Sequence, residues 1–261
     1  MGAVPILKEH IMIELINLTK RFGKVLAVDC INLRVAKGEI FGFIGPNGAG
    51  KTTTIRMMGG VLAPTEGSVV IGGIDMIDDP EGVKKKIGFI PDRPFLYEKL
   101  TGMEFMRFSA DLYGVDNHFF LEKSHGLLKK FGLSDWSHEL IESYSHGMKQ
   151  RLIISAALLH EPAVIIVDEP MVGLDPAAIK MVKDLLRDLA DRGTTIFMST
   201  HTLEIAEDIC DRIGIIHRGA LIATGTSGDL KRAAGAIGVS FKTDPKLEEV
   251  FLKLTEEQIV L

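Results

Sequence analysis

The sequence predicts an α/β fold with a mainly parallel sheet and a helical block inserted into it. Three observations carry that prediction. Short apolar runs alternate with helix-period segments through most of the chain. One of those runs, "IFGFIG", passes through a glycine-rich turn straight into a helical segment. From about Asp92 to Leu159 the alternation stops and helical spacing takes over, as expected for a helical subdomain set into the core.

In chain order, "IMIELINLTKRFG" and "VLAVDCINLRVAKGE" read as short strands joined by turns. "IFGFIG" is a continuous apolar strand, and "KTTTIRMMGGVL" begins a helix. "GSVVIGGIDM" alternates like a strand, and "KKIGFIPD" is another, stopped by Pro91. The lysines Lys84 to Lys86 read as a solvated helix end. Thr101 and Glu104 form a capping box ahead of helical spacing that runs to about Phe131. "AVIIVDEP" is a buried strand. "DPAAIKMVKDLLRDLADRG" is a helix with Pro in its first turn and Gly after its end. "TTIFMSTH", "TLEIAEDICDR" and "IGIIHRGALIATG" give a strand, a helix and a strand pair across Arg218-Gly219.

The bulk properties exclude several classes. The 261 residues are 46% hydrophobic and 25% charged, an ordinary globular composition. A net charge of −5 lacks the basic excess of a general nucleic-acid binder, so no nucleic-acid partner is expected. Cys30 and Cys210 match no metal or redox spacing and read as reduced core thiols of a cytosolic protein. "MGAVPILKEH" is not built as a signal peptide, and Ile6 stands where myristoylation after Gly2 needs Ser or Thr. The longest apolar run, "LIISAALL", is far short of the roughly 18 residues of a membrane span. The chain is expected not to cross a membrane, though it can dock on a protein that does.

"GPNGAGKTT" spans Gly45, Pro46, Asn47, Gly48, Ala49, Gly50, Lys51, Thr52 and Thr53 and matches the P-loop pattern in the required strand-to-helix context. Its glycines let successive backbone N–H groups turn inward around phosphates, and the helix N-terminus adds its dipole. Lys51 supplies a point charge for the β- and γ-phosphates, and Thr52 a hydroxyl for Mg²⁺. Asp168, at the end of the buried "VIIVD" run, can hold that Mg²⁺ through water. Glu169, one residue on, is placed to polarise a water in line with the γ-phosphate. His201 ends a third strand near the same edge, in reach of the γ-phosphate and the attacking water.

"SYSHGMKQRLIISAALL" opens a buried apolar helix with more anion-binding groups than a cap needs. The ordered set of P-loop, helical insertion, "YSHGM", "VIIVDEP", "GLDP" and "STH" explains it. That set resembles the nucleotide-binding subunit of ATP-binding cassette (ABC) transporters over roughly Ile11 to Gly225. The resemblance implies a RecA-like core, an antiparallel β subdomain and an inserted helical subdomain of about residues 92–159. It implies a cassette of residues 1–235, which leaves 236–261 as a C-terminal extension. It implies a head-to-tail homodimer binding ATP and Mg²⁺. Ser145, His146 and Gly147 then face the γ-phosphate of an ATP held by the partner's P-loop. Phe22 in "KRFGKV" matches the aromatic that stacks on adenine, and Asp175 in "GLDP" the loop coupling the two sites.

The chain departs from the family's Leu-Ser-Gly-Gly-Gln at Tyr144, His146 and Met148. His146 either adds charge near the phosphate or points to solvent. Asp92 stands where the family has glutamine, and either reaches the Mg²⁺ through water or faces permease or solvent. "IPDRPFLYEKLTGMEF" and the tail "PKLEEVFLKLTEE" are similar to ATPase subunits of bacterial ABC-2 type exporters. The expected function is therefore ATP hydrolysis driving a separate membrane permease, from the cytoplasmic, inner face of the cell membrane. One rival is a soluble ABC ATPase acting on ribosomes or DNA. Such members usually carry two cassettes, a coiled coil or a zinc insertion, and this chain has none of these. The other rival, an ATP-gated module without turnover, sits poorly with Glu169 and His201 both present.

Overall fold

The computed structural model describes residues 11–92, 95–236 and 246–256. Expectations for the N-terminal ten residues, and for parts of the 236–261 tail, lie outside those residues. Among the described residues the strands form two sheets. In the first, β1 (Ile11–Phe22) and β2 (Val25–Ala36) make a long antiparallel hairpin, continued by β4 (Glu66–Ile71) and β5 (Ile74–Asp75) in the order β2-β1-β4-β5. The expected single strand "GSVVIGGIDM" is instead a hairpin, because Gly72 and Gly73 both take positive φ and turn the chain.

The second sheet is built from β3 (Ile40–Ile44), β6 (Ile87–Ile90), β7 (Val164–Asp168), β8 (Thr195–Thr200), β9 (Arg212–His217) and β10 (Ala220–Gly225). Its order is β10-β9-β3-β8-β7-β6. All pairings are parallel except β10 with β9. Parallel register brings Ile44 beside Thr200, and Asp168 beside Ser199. The carboxyl ends of β3, β6, β7 and β8 therefore share one edge, where open α/β sheets bind ligands.

This sheet is covered on both faces, which is why its strands read as continuous apolar runs. On one face Phe41 and Phe43 pack on Phe197, with ring centroids 5.6 and 5.3 Å apart. The helix α1 (Lys51–Met58) and the inner face of the antiparallel sheet close over them. The other face carries α3 (Gly102–Leu112), α4 (Asn117–Lys130), α5 (His146–Ala157) and α6 (Pro176–Asp191), through Met106, Leu128, Leu152 and Leu185. Burying one such side chain is worth roughly 1.5–3 kcal/mol before chain entropy is charged against it.

The helical spacing from Thr101 to Phe131 forms two helices rather than one. Gly114 takes positive φ, and Asp116 caps a new N-terminus by accepting from His118 N–H. The Thr101–Glu104 capping box is present in both directions, at 3.2 and 2.7 Å. The lysine run ends the short helix α2 (Pro80–Lys85), with Lys84 and Lys85 exposed.

Beyond the sheet edge, α7 (Leu203–Ile209), α8 (Ser227–Ala236) and α9 (Leu247–Glu256) share a third core. Leu247, Val250 and Leu254 are fully buried in it. Glu207 on α7 ties this unit together, accepting from Ser227 Oγ at 3.0 Å and Lys231 Nζ at 2.7 Å. The expectation of two core thiols fails for Cys30. It is exposed, because it sits with positive φ in a bulge of β2 that turns it outward beside Asn17 and Asn32.

Candidate functional site

The glycine-rich turn leaves β3 at Ile44 and enters α1 at Lys51. Two of its glycines are required by geometry. A Cβ at Gly45 would collide with the Ile216 carbonyl on β9. Gly50 has φ +111 and a Cβ there would stand 2.6 Å from the Ala27 carbonyl. The Lys51 ammonium donates to the carbonyls of Gly45 at 2.6 Å and Pro46 at 3.2 Å. Burial pushes its pKa down, while the charges of Glu169 and Asp168 oppose that fall.

Asp168, at the end of β7, is buried and accepts a hydrogen bond from Ser199 Oγ on β8. Sequence reasoning passed over Ser199, although a hydroxyl inside the apolar run "TIFMS" was the available signal. Glu169 then leaves the strand with φ +52. Its N–H donates to Ser199 O at 3.2 Å. Its carboxylate meets His201 twice, with Oε1 2.9 Å from Nδ1 and Oε2 accepting the His201 N–H at 3.3 Å.

These groups surround a cleft of about 360 Å³, lined by Asn47, Gly48, Gly50, Lys51, Thr52, Thr53, Asp92, Asp168, Glu169 and His201, with Ala27 and Val172 closing its sides. That is within the size range of small-ligand sites. The buried Lys51 ammonium lines the cleft, the start of α1 opens into it, and the Glu169 carboxylate, braced by His201, lines it as well. The arrangement can bind polyphosphate and activate a water. Thr52, Asp92 and Asp168 also line an adjoining cavity of about 280 Å³. Their hydroxyl and carboxylate oxygens are the hard donors Mg²⁺ prefers. One or two protein carboxylates suffice when substrate phosphates and water complete the octahedron, so the residues present fit that ion.

Other expected site residues lie elsewhere. Phe22 is half-exposed at the end of β1 with Lys20 Nζ 5.2 Å from its ring centroid, and it does not line the cleft. Ser145 is the N-cap of α5, its Oγ accepting from Met148 N–H at 3.3 Å, and is exposed outside the cleft. His146 follows neither alternative cleanly. It is exposed, yet its ring lies on Gly173, where an added Cβ would stand 2.6 Å from Cδ2. Gly147 lies near Leu174, so the "YSHGM" turn packs on the "GLDP" turn of its own chain. Asp175 caps α6, accepting from Ala178 N–H at 2.8 Å.

Comparison with known proteins identifies the family and the fold. The pattern of the ABC transporter family matches residues 28–172. The linearmycin resistance ATP-binding protein LnrL of Bacillus subtilis is 37% identical over 241 residues, 92% of this chain and 78% of that protein. The bacitracin transport ATP-binding protein BcrA of Bacillus licheniformis is 41% identical over 212 residues, covering 81% and 68%. The probable multidrug ABC transporter ATP-binding protein YbhF of Escherichia coli is 36% identical over 94% of this chain, which spans only 42% of that relative's length. A solved ATP-binding subunit of an ABC transporter superposes with a TM-score of 0.86 at 34% identity, over 93% of this chain and 99% of that one. A bacterial cassette solved as a dimer gives 0.75 at 28% identity, over 82% and 98%. With the family pattern covering more than half of the chain and relatives matched along most of it, this protein belongs to the ABC transporter ATP-binding family.

Proposed function

We propose that this chain is the ATP-hydrolysing subunit of an ABC transporter, and that it drives export through a separate membrane permease. The observation that carries the reading is the Glu169–His201 pair at the mouth of a cleft whose floor holds Lys51 and Asp168. The P-loop N–H groups and Lys51 hold the β- and γ-phosphates of ATP. Thr52 and Asp168, with Asp92 acting through water, hold Mg²⁺, which neutralises developing charge on the phosphates when bound. Glu169 accepts the proton of the attacking water, and His201 keeps its carboxylate aimed. Phe22 reaches adenine from the rim.

Ser145, with His146 and Gly147 beside it, completes the site of a second copy, head to tail. The exposure of Ser145 outside its own cleft supports this. Asp175 follows the turn on which His146 rests, and couples the two sites. The cassette comprises residues 1–235, with the helical subdomain at about 92–159 and an extension at 236–261. The extension's helix α9 packs back on α7 and α8. Among the described residues no helix is long and apolar enough to cross a membrane. Pairing with a separate permease, as proposed here, would hold the subunit peripherally on the cytoplasmic face. The exposed aromatics Phe95, Tyr97 and Phe108 give the permease an apolar landing surface. The resistance and drug-transport names of the relatives support export.

A pair of mixed dimers tests the shared site. With Lys51→Ala on one chain and Ser145→Arg on the other, one site stays intact and one is damaged twice. With both changes on one chain, each site is damaged once. Unequal ATPase rates and ATP occupancies are expected, and equal ones refute the composite site.

A further inference from the structure

The aromatic patch and the phosphate-binding turn of α5 are joined by a short, tightly bonded bridge. Phe95, Tyr97 and Phe108 form an edge-to-face cluster with ring centroids 5.4 and 5.2 Å apart. Directly after it, the chain zips onto the segment that precedes the turn. Ile141 N–H donates to Leu100 O at 2.9 Å, Glu142 N–H to Glu98 O at 3.1 Å, and Met103 N–H to Ser137 O at 2.8 Å. The ion pairs Lys99–Glu142 and Lys149–Glu98, each 2.6 Å, flank the bridge.

Tyr144 fastens this bridge to Ser145. Its side chain is 5% exposed, and its hydroxyl donates to the Trp136 carbonyl at 2.5 Å. The hydroxyl lies against Gly102, the first residue of α3, where an added Cβ would land on the hydroxyl oxygen and come within 3.3 Å of Cζ. A buried phenol needs such an acceptor, and the missing side chain at Gly102 is the space it occupies. A leucine at position 144 could fill neither role, since it has no hydroxyl and a shorter reach.

We propose that Tyr144 is a positioning residue for Ser145, keyed into Gly102 so that movement of the aromatic patch and of α3 is delivered to the turn that binds the partner's ATP. This rests on the shared-site reading above. It assigns to one residue pair, Tyr144 and Gly102, the rigidity that a trans-acting serine requires. Sub-ångström placement matters at such a site, because a misplacement of about 1 Å can cost on the order of 10²-fold in rate.

The test uses Gly102→Ala, Tyr144→Phe, the double variant and Ser145→Arg in the full chain. Three readouts are taken: ATP affinity of the monomer by calorimetry, ATP-driven self-association, and the split between kcat and KM. Gly102→Ala should leave monomer affinity within about twofold, because the P-loop is untouched, yet lower kcat and self-association by roughly tenfold or more. Tyr144→Phe, which cannot overfill the site, should show a smaller loss in the same two readouts. The double variant should recover to within about threefold of Tyr144→Phe, because removing the hydroxyl makes room for the methyl. A double variant no better than Gly102→Ala overturns the proposal, as do wild-type kcat and association in both single variants. If Ser145→Arg itself associates and turns over like wild type, the shared-site reading falls and takes this inference with it. If Ser145→Arg is impaired while the Gly102 and Tyr144 variants are not, only this inference falls.

Discussion

Glu169→Gln separates the proposed role of this carboxylate as a base from its role as a fixture. Glutamine keeps the length of the side chain and an oxygen that can accept the His201 N–H, now at 3.3 Å. The amide can still face His201 Nδ1, so the turn at residue 169 and its contact to Ser199 should persist. The capacity to take a proton is lost. Removing a general base typically costs about 10²–10⁴-fold, which at about 1.36 kcal/mol per decade is roughly 2.7–5.4 kcal/mol of transition-state stabilisation. Binding should move the other way. Glu169 is one of the two carboxylates whose charge holds the Lys51 pKa up against burial, so in the free protein its loss lowers that pKa further. A bound triphosphate more than replaces that charge, and one anion no longer faces the γ-phosphate. ATP affinity should therefore hold or rise, and the ATP-bound dimer should accumulate. Phosphate release at saturating MgATP, with sedimentation of the same samples, checks both effects. Turnover within about threefold of wild type would remove Glu169 from the chemistry.

Two further outcomes are expected. Asp92 lines the cleft with Thr52 and Asp168, so wild-type ATP affinity should fall more steeply as Mg²⁺ is withdrawn than that of Asp92→Gln or Asp92→Asn. Superimposable magnesium curves for the three proteins would leave Asp92 without a role at the metal. The hydrogen bond from Lys231 holds the Glu207 carboxyl below its ordinary pKa, with Ser227 and the Leu247 N–H adding to it. A lowered folded-state value stabilises the protein above the ordinary carboxylate range and ceases to do so as pH falls through it. Glu207→Gln should thus melt below wild type near neutral pH, by a modest margin since the group is partly exposed, and the gap should close on acidification. A gap independent of pH would assign Glu207 a packing role only.

The central sheet was legible because its strands are buried on both faces and its cleft residues follow strand ends in a fixed local order. Asp168, Glu169 and His201 each stand at or next to such an end, and Lys51 and Thr52 open the helix that the glycine-rich turn after β3 leads into, so finding the strands located the groups. Departures arose where local pattern does not determine the backbone. Gly72-Gly73 and Gly114 broke elements whose hydrophobic spacing continued through them. Cys30 read as a core thiol because it matches no metal or redox spacing, yet a bulge put it outside. The contact of His146 with Gly173, and that of Tyr144 with Gly102, join segments 27 and 42 residues apart. Neither has a periodicity or motif to announce it. Both depend on a glycine whose value is the side chain it lacks.

The backbone at Glu169 ties the fold's energetics to the site. A non-glycine residue in the left-handed region costs about 1–2 kcal/mol. Here it lies between a buried strand and Pro170, where an extended continuation would have been unstrained. Continued extension would have sent Glu169 to the sheet face opposite Asp168. The left-handed turn instead keeps its carboxylate at the sheet edge, with three contacts to β8 and the residue after it: Ser199 O, His201 N–H and His201 Nδ1. Those contacts offset the local cost. They come from a strand, and the residue after it, adjacent in space but thirty or more residues away in sequence, so the strain persists only in the folded sheet. His201 is accordingly part of what makes the conformation of Glu169 tenable. The carboxylate is fixed by the protein's own groups, which is the condition the proposed base must meet to act on a single water in line with a phosphate.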